Sequence, residues 1–233
     1  QAEATRRFLT TNVEGVILPP PLSESQPILS ELAAAQIPVV TVAMGRPRDD
    51  ALNVRIDDFA AAEEMTNHLL DLGHRRIGLI KGHPLHIATI ERTRGFMAAL
   101  EARDLKPDDA PIEQGYFTFR SGLIAAERLL ARPEPPTAIF ACNDDMAAAA
   151  VSVAHRKGLA VPEDISIVGF DDTAPATTLW PELTTVRQPI SAMAEAALEL
   201  LLSDLRERRS GQETGGAERV LEHQLIVRES SAS

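Results

Sequence analysis

The feature that most constrains the fold is a repeated series of short apolar runs. Val, Ile and Leu dominate residues 15–18, 37–42, 77–80, 138–141 and 165–170. Apolar and polar residues do not alternate within these runs, so each run predicts a strand that is buried on both faces. Stretches with apolar residues at helical spacing lie between them, at residues 25–36, 57–72, 87–103, 120–131 and 144–157. This alternation predicts an α/β fold built on doubly wound parallel sheets.

Residues at the ends of these elements support the prediction. Asp57 and Asn143 stand where a side chain can cap the first turn of a helix. Gly73 and Gly158 follow predicted helices, where a left-handed backbone is often required. The polar segment 209–216 holds three glycines and predicts a loop or crossover.

The first residues indicate an abrupt start. Residues 1–10 predict the second half of a helix, with Phe8 and Leu9 on its buried face. The sheet on which this helix would pack begins only at residue 15. A complete doubly wound lobe normally carries strands before that point, so we expect this chain to be a fragment.

Charge and cysteine content narrow the class of protein. The chain has 23 Lys and Arg against 34 Asp and Glu, a formal net charge of −11. Phosphate binding needs a basic surface, so this chain alone is not expected to bind DNA. The single cysteine, Cys142, excludes a disulfide within the chain and favours a reducing, cytoplasmic location. No apolar run approaches the roughly 20 residues that a membrane-spanning helix needs.

Polar side chains follow the predicted strands where each strand ends. Asn143 to Asp145 come after residues 138–141, and Asp171 and Asp172 come after residues 165–170. Ligands of open parallel sheets bind at the carboxyl ends of the strands. Carboxylates and amides bind hydroxyl groups directionally, so this edge suits a polyol or sugar. The alternative, equally favoured by position, is that Asn143 and Asp145 only cap a helix and Asp171 and Asp172 only form a turn.

Six segments carry a specific pattern. They are LGHRRIG at 72–78, RTRGF at 92–96, AIFACNDDMA at 138–147, VPEDISIVGFDD at 161–172, PELTTVRQP at 181–189 and LIVRES at 225–230. In order and spacing, from about residue 13 to 230, they resemble the LacI/GalR family of transcriptional regulators. The resemblance is to the effector-binding, periplasmic-binding-protein-like part of that family, truncated at its amino end.

The resemblance implies a domain organisation and partners. Two lobes of similar topology would be joined by three crossovers near 73–77, 183–186 and 209–219. Residues 1–73 and 187–210 would form the first lobe, and residues 74–184 and 217–233 the second. A small sugar-like effector would bind in the cleft between the lobes without any cofactor. The intact protein would be a homodimer, with helices 57–72 and 87–100 as candidate interface elements, and would bind operator DNA through a helix-turn-helix module absent from this chain.

The resemblance also assigns residues to the site. Arg92, Asn143 and Asp171 match the most frequent sugar-contacting positions of the family, and Phe117 stands where the family often places an aromatic ring. Arg92 could instead be a structural partner of Asp171, and Phe117 could belong to the core. Ala43 replaces an aspartate that is common in the family, and Ala61 and Ala149 replace glycines. These departures put the ligand's identity in doubt more than the fold.

Three other readings of the residues are weaker. His83 and His86 have a metal-binding spacing, but no third ligand stands at a matching distance. Cys142 follows a buried strand without a neighbouring base, so a nucleophile is not predicted. Asp145 and Asp171 could form a glycosidase pair, but nothing else in the sequence indicates hydrolysis. A sugar-binding component of a periplasmic transporter shares the predicted fold and is the main alternative function.

Overall fold

A computed structural model describes residues 13–44, 51–106, 110–212 and 215–232. The chain divides into two compact units. Unit 1 comprises Gln1–Asp57 and Pro189–Glu222, and unit 2 comprises Asp58–Gln188 and His223–Ser233. Among the described residues, no helix has the length and apolar character needed to cross a membrane.

Unit 1 is built on a parallel sheet of four strands in the order β1-β2-β3-β9. The strands are β1 (Val16–Leu18), β2 (Val39–Val42), β3 (Leu52–Ile56) and β9 (Ala217–Leu221). Two helices accompany this sheet, α1 (Gln26–Ala34) and the 20-residue α7 (Ile190–Arg209). Apolar side chains of β1 and α1 form one core, in which Leu18 and Leu32 are buried. Contacts from α7 reach all four strands, so this helix covers the sheet.

Unit 2 is built on a second parallel sheet of four strands, in the order β5-β4-β6-β7. These are β4 (Ile77–Lys81), β5 (Ile112–Gln114), β6 (Ala138–Ala141) and β7 (Ser166–Val168). The helices are α2 (Asp58–Asp71), α3 (Ile87–Glu101), α4 (Phe119–Leu130), α5 (Asp144–Arg156) and the short α6 (Ala174–Thr178). Helices α2 and α3 pack on each other, as do α4 and α5. A separate antiparallel pair joins β8 (Thr185–Arg187) to β10 (Gln224–Ile226).

The α/β fold with parallel sheets was predicted correctly. Each of the five predicted strands and five predicted helices is present, with ends that differ from the prediction by at most two residues. Gly73 and Gly158 have φ values of 96° and 74°, the left-handed backbone expected after a helix. The cap at Asp57 stays a prediction, and the helix expected at residues 1–10 lies outside the described residues.

The division into units differs from the boundaries expected from the sequence. The sequence assigned residues 58–73 to the first lobe, but α2 packs on α3 within unit 2. It assigned residues 217–222 to the second lobe, but β9 extends the sheet of unit 1 through a ladder with β3 that runs from Leu52–Ala217 to Ile56–Leu221. The two units follow strand pairing and helix packing, neither of which is visible in the apolar pattern of the sequence, and the lobe boundaries expected from the sequence stay a prediction.

Candidate functional site

The sheet of unit 2 has a reversal in strand order. From β4 the chain passes to β5 on one side and then returns to β6 on the other side, so the order reverses between β4 and β6. In open α/β sheets this reversal opens a crevice at the carboxyl ends of the strands, where ligands bind. Gly82 follows β4 at this edge, Cys142 and Asn143 follow β6, and Asp171 lies three residues beyond β7.

A buried arginine lies at the centre of this edge. The Arg92 side chain on α3 is only 6% exposed and pairs with Asp58, the first residue of α2, at 2.8 Å from Nε to Oδ1. Its Nη1 donates to the backbone carbonyl of Cys142 and lies 3.7 Å from Oδ1 of Asp171. The guanidinium stacks on Phe170, with its Cζ 3.5 Å from the ring centroid. This one cation on α3 therefore joins the segments that follow β6 and β7 to the first turn of α2.

The charges at this edge shift one another's ionisation. Burial by itself would lower the pKa of Arg92, but the charges of Asp58 and Asp171 outweigh it, and the pKa is raised. Burial raises the pKa of Asp171 to about 7, against the opposing effect of Arg92. Asp171 therefore changes charge near neutral pH, and Arg92 remains a cation in both states.

The backbone of Asp171 is strained. Its φ is 113° and that of Asp172 is 58°, values that non-glycine residues rarely adopt. The Asp171 amide donates to the carbonyl of Val186 at 2.8 Å, and Gln188 Nε2 donates to Asp171 Oδ1 at 2.7 Å. Strain of this kind persists only where surrounding contacts hold it, and it is concentrated at functional sites.

Two arginines hold the carboxylate of the next residue, Asp172. Its carboxylate pairs with Arg187 at 2.6 Å and with Arg228 at 2.7 Å. Burial by itself would raise the pKa of Asp172, but these two arginines outweigh it and lower the pKa. Neighbouring carboxylates thus have opposite electrostatic environments: two arginines lower the pKa of Asp172, whereas desolvation raises that of Asp171.

Asn143 and Asp144 organise the end of β6. Asn143 Oδ1 accepts from the amide of Met146 at 3.0 Å, which is the helix cap predicted from the sequence, and its Nδ2 donates to the carbonyl of Phe117 at 3.2 Å. Asp144 is fully buried and accepts from Thr185 Oγ1 at 2.7 Å and from the Thr173 amide at 2.6 Å. The start of α5 therefore fixes three neighbouring segments.

Phe117 also has a strained backbone, with a φ of 59°. Its ring packs on Gly82, where an added Cβ would lie 1.9 Å from Cζ of the ring, so only glycine permits this contact. The ring centroid lies 5.6 Å from that of His86. Phe117 is half-buried, and its ring contacts are with the edge of the sheet.

The structure thus brings the four sequence-predicted residues together in pairs. Arg92 lies beside Asp171, as expected of a structural partner, and Asn143 is bonded to Phe117. The sequence reasoning missed Asp58, whose ion pair spans 34 positions, and Gln188, which stands inside the PELTTVRQP segment without an assigned role. Ala43 lies in unit 1, has a φ of 55° and offers no polar side-chain atom.

The geometry gives little support to a nucleophilic Cys142 or to a metal site at His83 and His86. Burial raises the pKa of the Cys142 thiol to about 11, so the thiol stays protonated at neutral pH and is a poor nucleophile. His83 and His86 have ring centroids 4.9 Å apart, but the described residues contain no group of three or more metal-binding side chains. The arrangement at the edge is suited to binding hydroxyl groups through carboxylate, guanidinium and amide.

Comparisons with known proteins agree with this description. The sequence pattern of the periplasmic binding protein-like domain family matches residues 66–231. The transcriptional repressor CytR of Escherichia coli K12 is 38% identical over 194 residues, which are 83% of this chain and 56% of the relative. The transcriptional regulator CelR of Thermobifida fusca is 35% identical over 221 residues, which are 94% of this chain and 64% of the relative.

Solved structures give the same result. A complex of the transcriptional regulator CelR with cellobiose is 34% identical, with a TM-score of 0.90, and the match covers 99% of this chain and 69% of that one. A LacI transcriptional regulator from a Rhodococcus species is 30% identical, with a TM-score of 0.86 over 100% of this chain and 83% of that one. All four of these proteins are transcriptional repressors or regulators by name. The chain spans 56% and 64% of the lengths of the two curated relatives.

Proposed function

This chain belongs to the periplasmic binding protein-like domain family, in the branch of the LacI-type regulators, and we propose that it is the effector-sensing part of a bacterial transcription regulator. The curated relatives are transcription regulators of the helix-turn-helix type. This favours a regulator over the sugar-binding component of a transporter, which is the alternative with the same fold. A regulator of operator DNA acts in the cytoplasm, and a chain with a single cysteine suits that compartment.

The proposed effector is a small sugar-like polyol bound at the carboxyl edge of the unit 2 sheet. The observation that carries this proposal is the strained Asp171 beside the buried Arg92–Asp58 pair. The hydrogen bond that the structure describes at the Asp171 carboxylate reaches Oδ1, which leaves Oδ2 to accept from a hydroxyl group. The strained backbone presents the Asp171 carboxylate beside Arg92, whose charge Asp58 already neutralises. Strain and a buried ion pair both cost stability, so this arrangement favours a role in binding a ligand.

The other predicted residues have distinct proposed roles. Arg92 orients Asp171 and contributes positive potential, since its Nε and Nη1 are already bonded to Asp58 and Cys142. Asn143 presents its amide beside the ligand while it caps α5. Phe117 places a ring against the apolar C–H face of a sugar.

The intact regulator is proposed to be a homodimer that binds operator DNA through a module outside this chain. Paired operator half-sites need a two-fold protein. Helices α2 and α3 remain the candidate interface elements, and Ile90 on α3 is an exposed apolar residue that suits this role. Effector binding is proposed to shift the equilibrium between two arrangements of the regulator and so change its affinity for the operator.

The first experiment is a thermal-shift screen of sugars and sugar phosphates on this chain, because a ligand that binds only the folded state raises the melting temperature. Titration calorimetry with the sugar found then compares wild type with Asp171→Ala. Hydrogen bonds to a charged group contribute about 1.5–3 kcal/mol, so affinity should fall roughly 10- to 150-fold.

Asp164→Ala is a matched control. This carboxylate accepts from the Ala160 amide and precedes β7, at the opposite end of that strand from Asp171. Its replacement should leave the affinity for the sugar unchanged. Wild-type affinity in folded Asp171→Ala protein would refute the proposed site, and sequence-selective, salt-dependent DNA binding by this chain alone would refute the assignment of DNA binding to another module.

A further inference from the structure

Aromatic rings gather at one place on the edge that carries the proposed site. The chain has seven Phe, one Tyr and one Trp among 233 residues. The single tyrosine, Tyr116, lies with Phe117 and two of the six histidines in a continuous row of rings. Ring centroids are 5.6 Å apart for Phe117 and His86, 4.9 Å for His86 and His83, and 5.7 Å for His83 and Tyr116. These distances are typical of interacting aromatic pairs.

Hydrogen bonds hold this aromatic row, defined as Phe117, His86, His83 and Tyr116, in place. Gln114 Nε2 donates to the carbonyls of Gly82 and of Gly115, the latter at 2.6 Å, and so ties together the two loops that carry the rings. The Tyr116 amide donates to Ser121 Oγ at 2.9 Å. Ser121 also forms a capping box with Thr118 at the start of α4. The row is therefore ordered before any ligand arrives, which lowers the entropic cost of binding.

The aromatic row is continuous with the polar residues of the proposed site. Phe117, at one end, accepts from Asn143 through its carbonyl at 3.2 Å, and the adjacent Cys142 carbonyl accepts from Arg92. At the other end, Tyr116 is 51% exposed, and Leu85, between the two histidines, is 79% exposed. The polar groups that suit hydroxyls are thus directly adjacent to aromatic rings, and the outermost ring, Tyr116, is exposed to solvent.

We propose that the outer part of the aromatic row, from His86 to Tyr116, is a second subsite, which binds a flat ring attached to the hydroxylated ring that Asn143, Asp171 and Phe117 hold. This inference rests on the proposed function and adds the chemical class of the effector, a two-ring molecule. The second ring presents a broad apolar face, from a sugar's C–H surface or from an aromatic group. Four rings extending away from the polar groups exceed what a single small polyol would cover, and Tyr116 has no other described ring partner than His83.

The test uses pairs of probes that differ only by the second ring. Methyl β-D-glucopyranoside is compared with cellobiose and with phenyl β-D-glucopyranoside, and methyl β-D-ribofuranoside with uridine. Affinities for wild type, Tyr116→Ala and Tyr116→Phe are measured by titration calorimetry. Trp180→Ala is the matched control, because Trp180 is a 76% exposed aromatic residue whose described ring contact is with His155, outside the row.

In at least one pair, the two-ring probe should bind wild type and Trp180→Ala about 10-fold more tightly than its one-ring partner, the effect expected of one stacked ring. Tyr116→Phe should keep most of this advantage. Tyr116→Ala should reduce it to about 2-fold while the one-ring affinity stays unchanged. The pair that shows the effect identifies the second ring as a sugar or as an aromatic group.

An equal affinity for both members of every pair that binds, or an advantage that survives Tyr116→Ala, would overturn the second subsite and leave the proposed function intact. Failure of every probe to bind wild type would count against the sugar-like effector itself, and the subsite would fall with it. If circular dichroism shows that Tyr116→Ala is unfolded, Tyr116→Leu replaces it, because leucine keeps the apolar volume and removes the ring.

Discussion

Each unit buries an aspartate that pairs with an arginine, but the two pairs have different surroundings. In unit 2, Asp58 and Arg92 are 4% and 6% exposed, so both charges are out of water. In unit 1, Asp204 is 4% exposed, but its partner Arg208 is 44% exposed and stands one turn away on the same helix. The first pair links two helices and reaches two strand ends, and the second pair is a local helix contact.

Sheet topology explains where the buried pair is placed. The sheet of unit 2 reverses its strand order between β4 and β6, and Arg92 occupies the edge where that reversal opens a crevice. The described strands of unit 1 follow one another in sequence order without such a reversal. A costly, fully buried ion pair therefore appears where topology makes a binding edge, which is the expected distribution if the pair serves binding rather than stability.

The largest expected effect comes from removing the buried cation. Arg92→Met should destabilise unit 2 by about 3–5 kcal/mol, because Asp58 is left buried without a partner. Arg208→Met in unit 1 should cost about 1 kcal/mol or less, because that arginine is half exposed. Urea unfolding followed by hydrogen exchange in each unit measures both.

The double variant Arg92→Met with Asp58→Asn removes the orphaned charge and should recover part of the lost stability. Equal costs for Arg92→Met and Arg208→Met would contradict the distinction between the two units. A double variant that is no more stable than Arg92→Met would show that the cost arises from packing rather than from charge.

The apolar pattern predicted ten elements and missed others, among them the 20-residue helix α7, which buries several apolar side chains, and strands with few apolar residues. Strand β9, AERVL, pairs fully with β3, yet none of its residues is buried, so no apolar run marks it. Strand β5, IEQ, has only three residues, none of them buried, so no apolar run marks it either. These strands are held by backbone pairing with their neighbours, which a single sequence does not display.

The candidate site divides in the same way. Asn143 was predicted as a cap because a capping residue acts on its own helix, three residues away. Asp58 was missed because its partner Arg92 belongs to another helix, and their pairing depends on how α2 packs on α3. Asp171 was placed by its position after a strand, but its strained φ and raised pKa follow from burial that the sequence does not report.

The second prediction concerns the polar core of unit 1. Asn53 is fully buried, bonds with Thr41 Oγ1 at 2.9 Å and donates to the Met44 carbonyl at 3.3 Å. Asn53→Ala removes these two bonds, although Thr41 Oγ1 keeps its bond to the Leu52 carbonyl, and should cost about 2 kcal/mol in urea unfolding. Arg55→Ala breaks a partly exposed ion pair with Glu218 and should cost less than about 1 kcal/mol. A negligible cost for Asn53→Ala would mean that unit 1 tolerates unpaired polar groups and that buried polar groups do not distinguish the two units.

The third prediction compares the neighbouring carboxylates of unit 2. The pKa of Asp171 is raised from 3.8 to about 7, so its contribution to stability is complete below pH 4 and is lost as the pH rises towards and through 7. Because asparagine also loses the ion pair with Arg92, Asp171→Asn should gain only part of what the pKa shift implies, about 1–2 kcal/mol at pH 8, and should be close to wild type at pH 4. Denaturant unfolding at several pH values measures the difference.

Asp172→Asn should behave in the opposite sense and serves as the matched control. Because the pKa of Asp172 is lowered by Arg187 and Arg228, its stabilising effect is present above pH 4 and is lost as the pH falls further. This variant should be less stable than wild type at pH 8. If both substitutions change the free energy of unfolding in the same direction at pH 8, the two carboxylates do not have opposite electrostatic environments.

The smallest expected effect is a pH dependence of stability that arises from histidines and is confined to unit 2. All six histidines of the sequence fall in unit 2, at positions 68, 74, 83, 86, 155 and 223. His74 bonds with Thr137, Ser166 and the Ala232 carbonyl, and burial lowers its pKa despite the bond to Ala232. A lowered pKa means that the neutral ring is favoured in the folded state. Stability is therefore present above pH 6.5 and is lost as the pH falls through the folded-state pKa.

Hydrogen exchange, corrected for its intrinsic pH dependence, should show weaker protection around residues 230–232 at pH 5.5 than at pH 7. Unit 1, which has no histidine, should show no corresponding change over that range. Burial also lowers the pKa of His68, which bonds with Ser231 at 3.0 Å, so His74→Gln should reduce the pH response without abolishing it. Asp171 contributes with the opposite sign over part of this range, so the measurement is best made in the Asp171→Asn background. A pH response of equal size in both units would mean that it does not arise from these histidines.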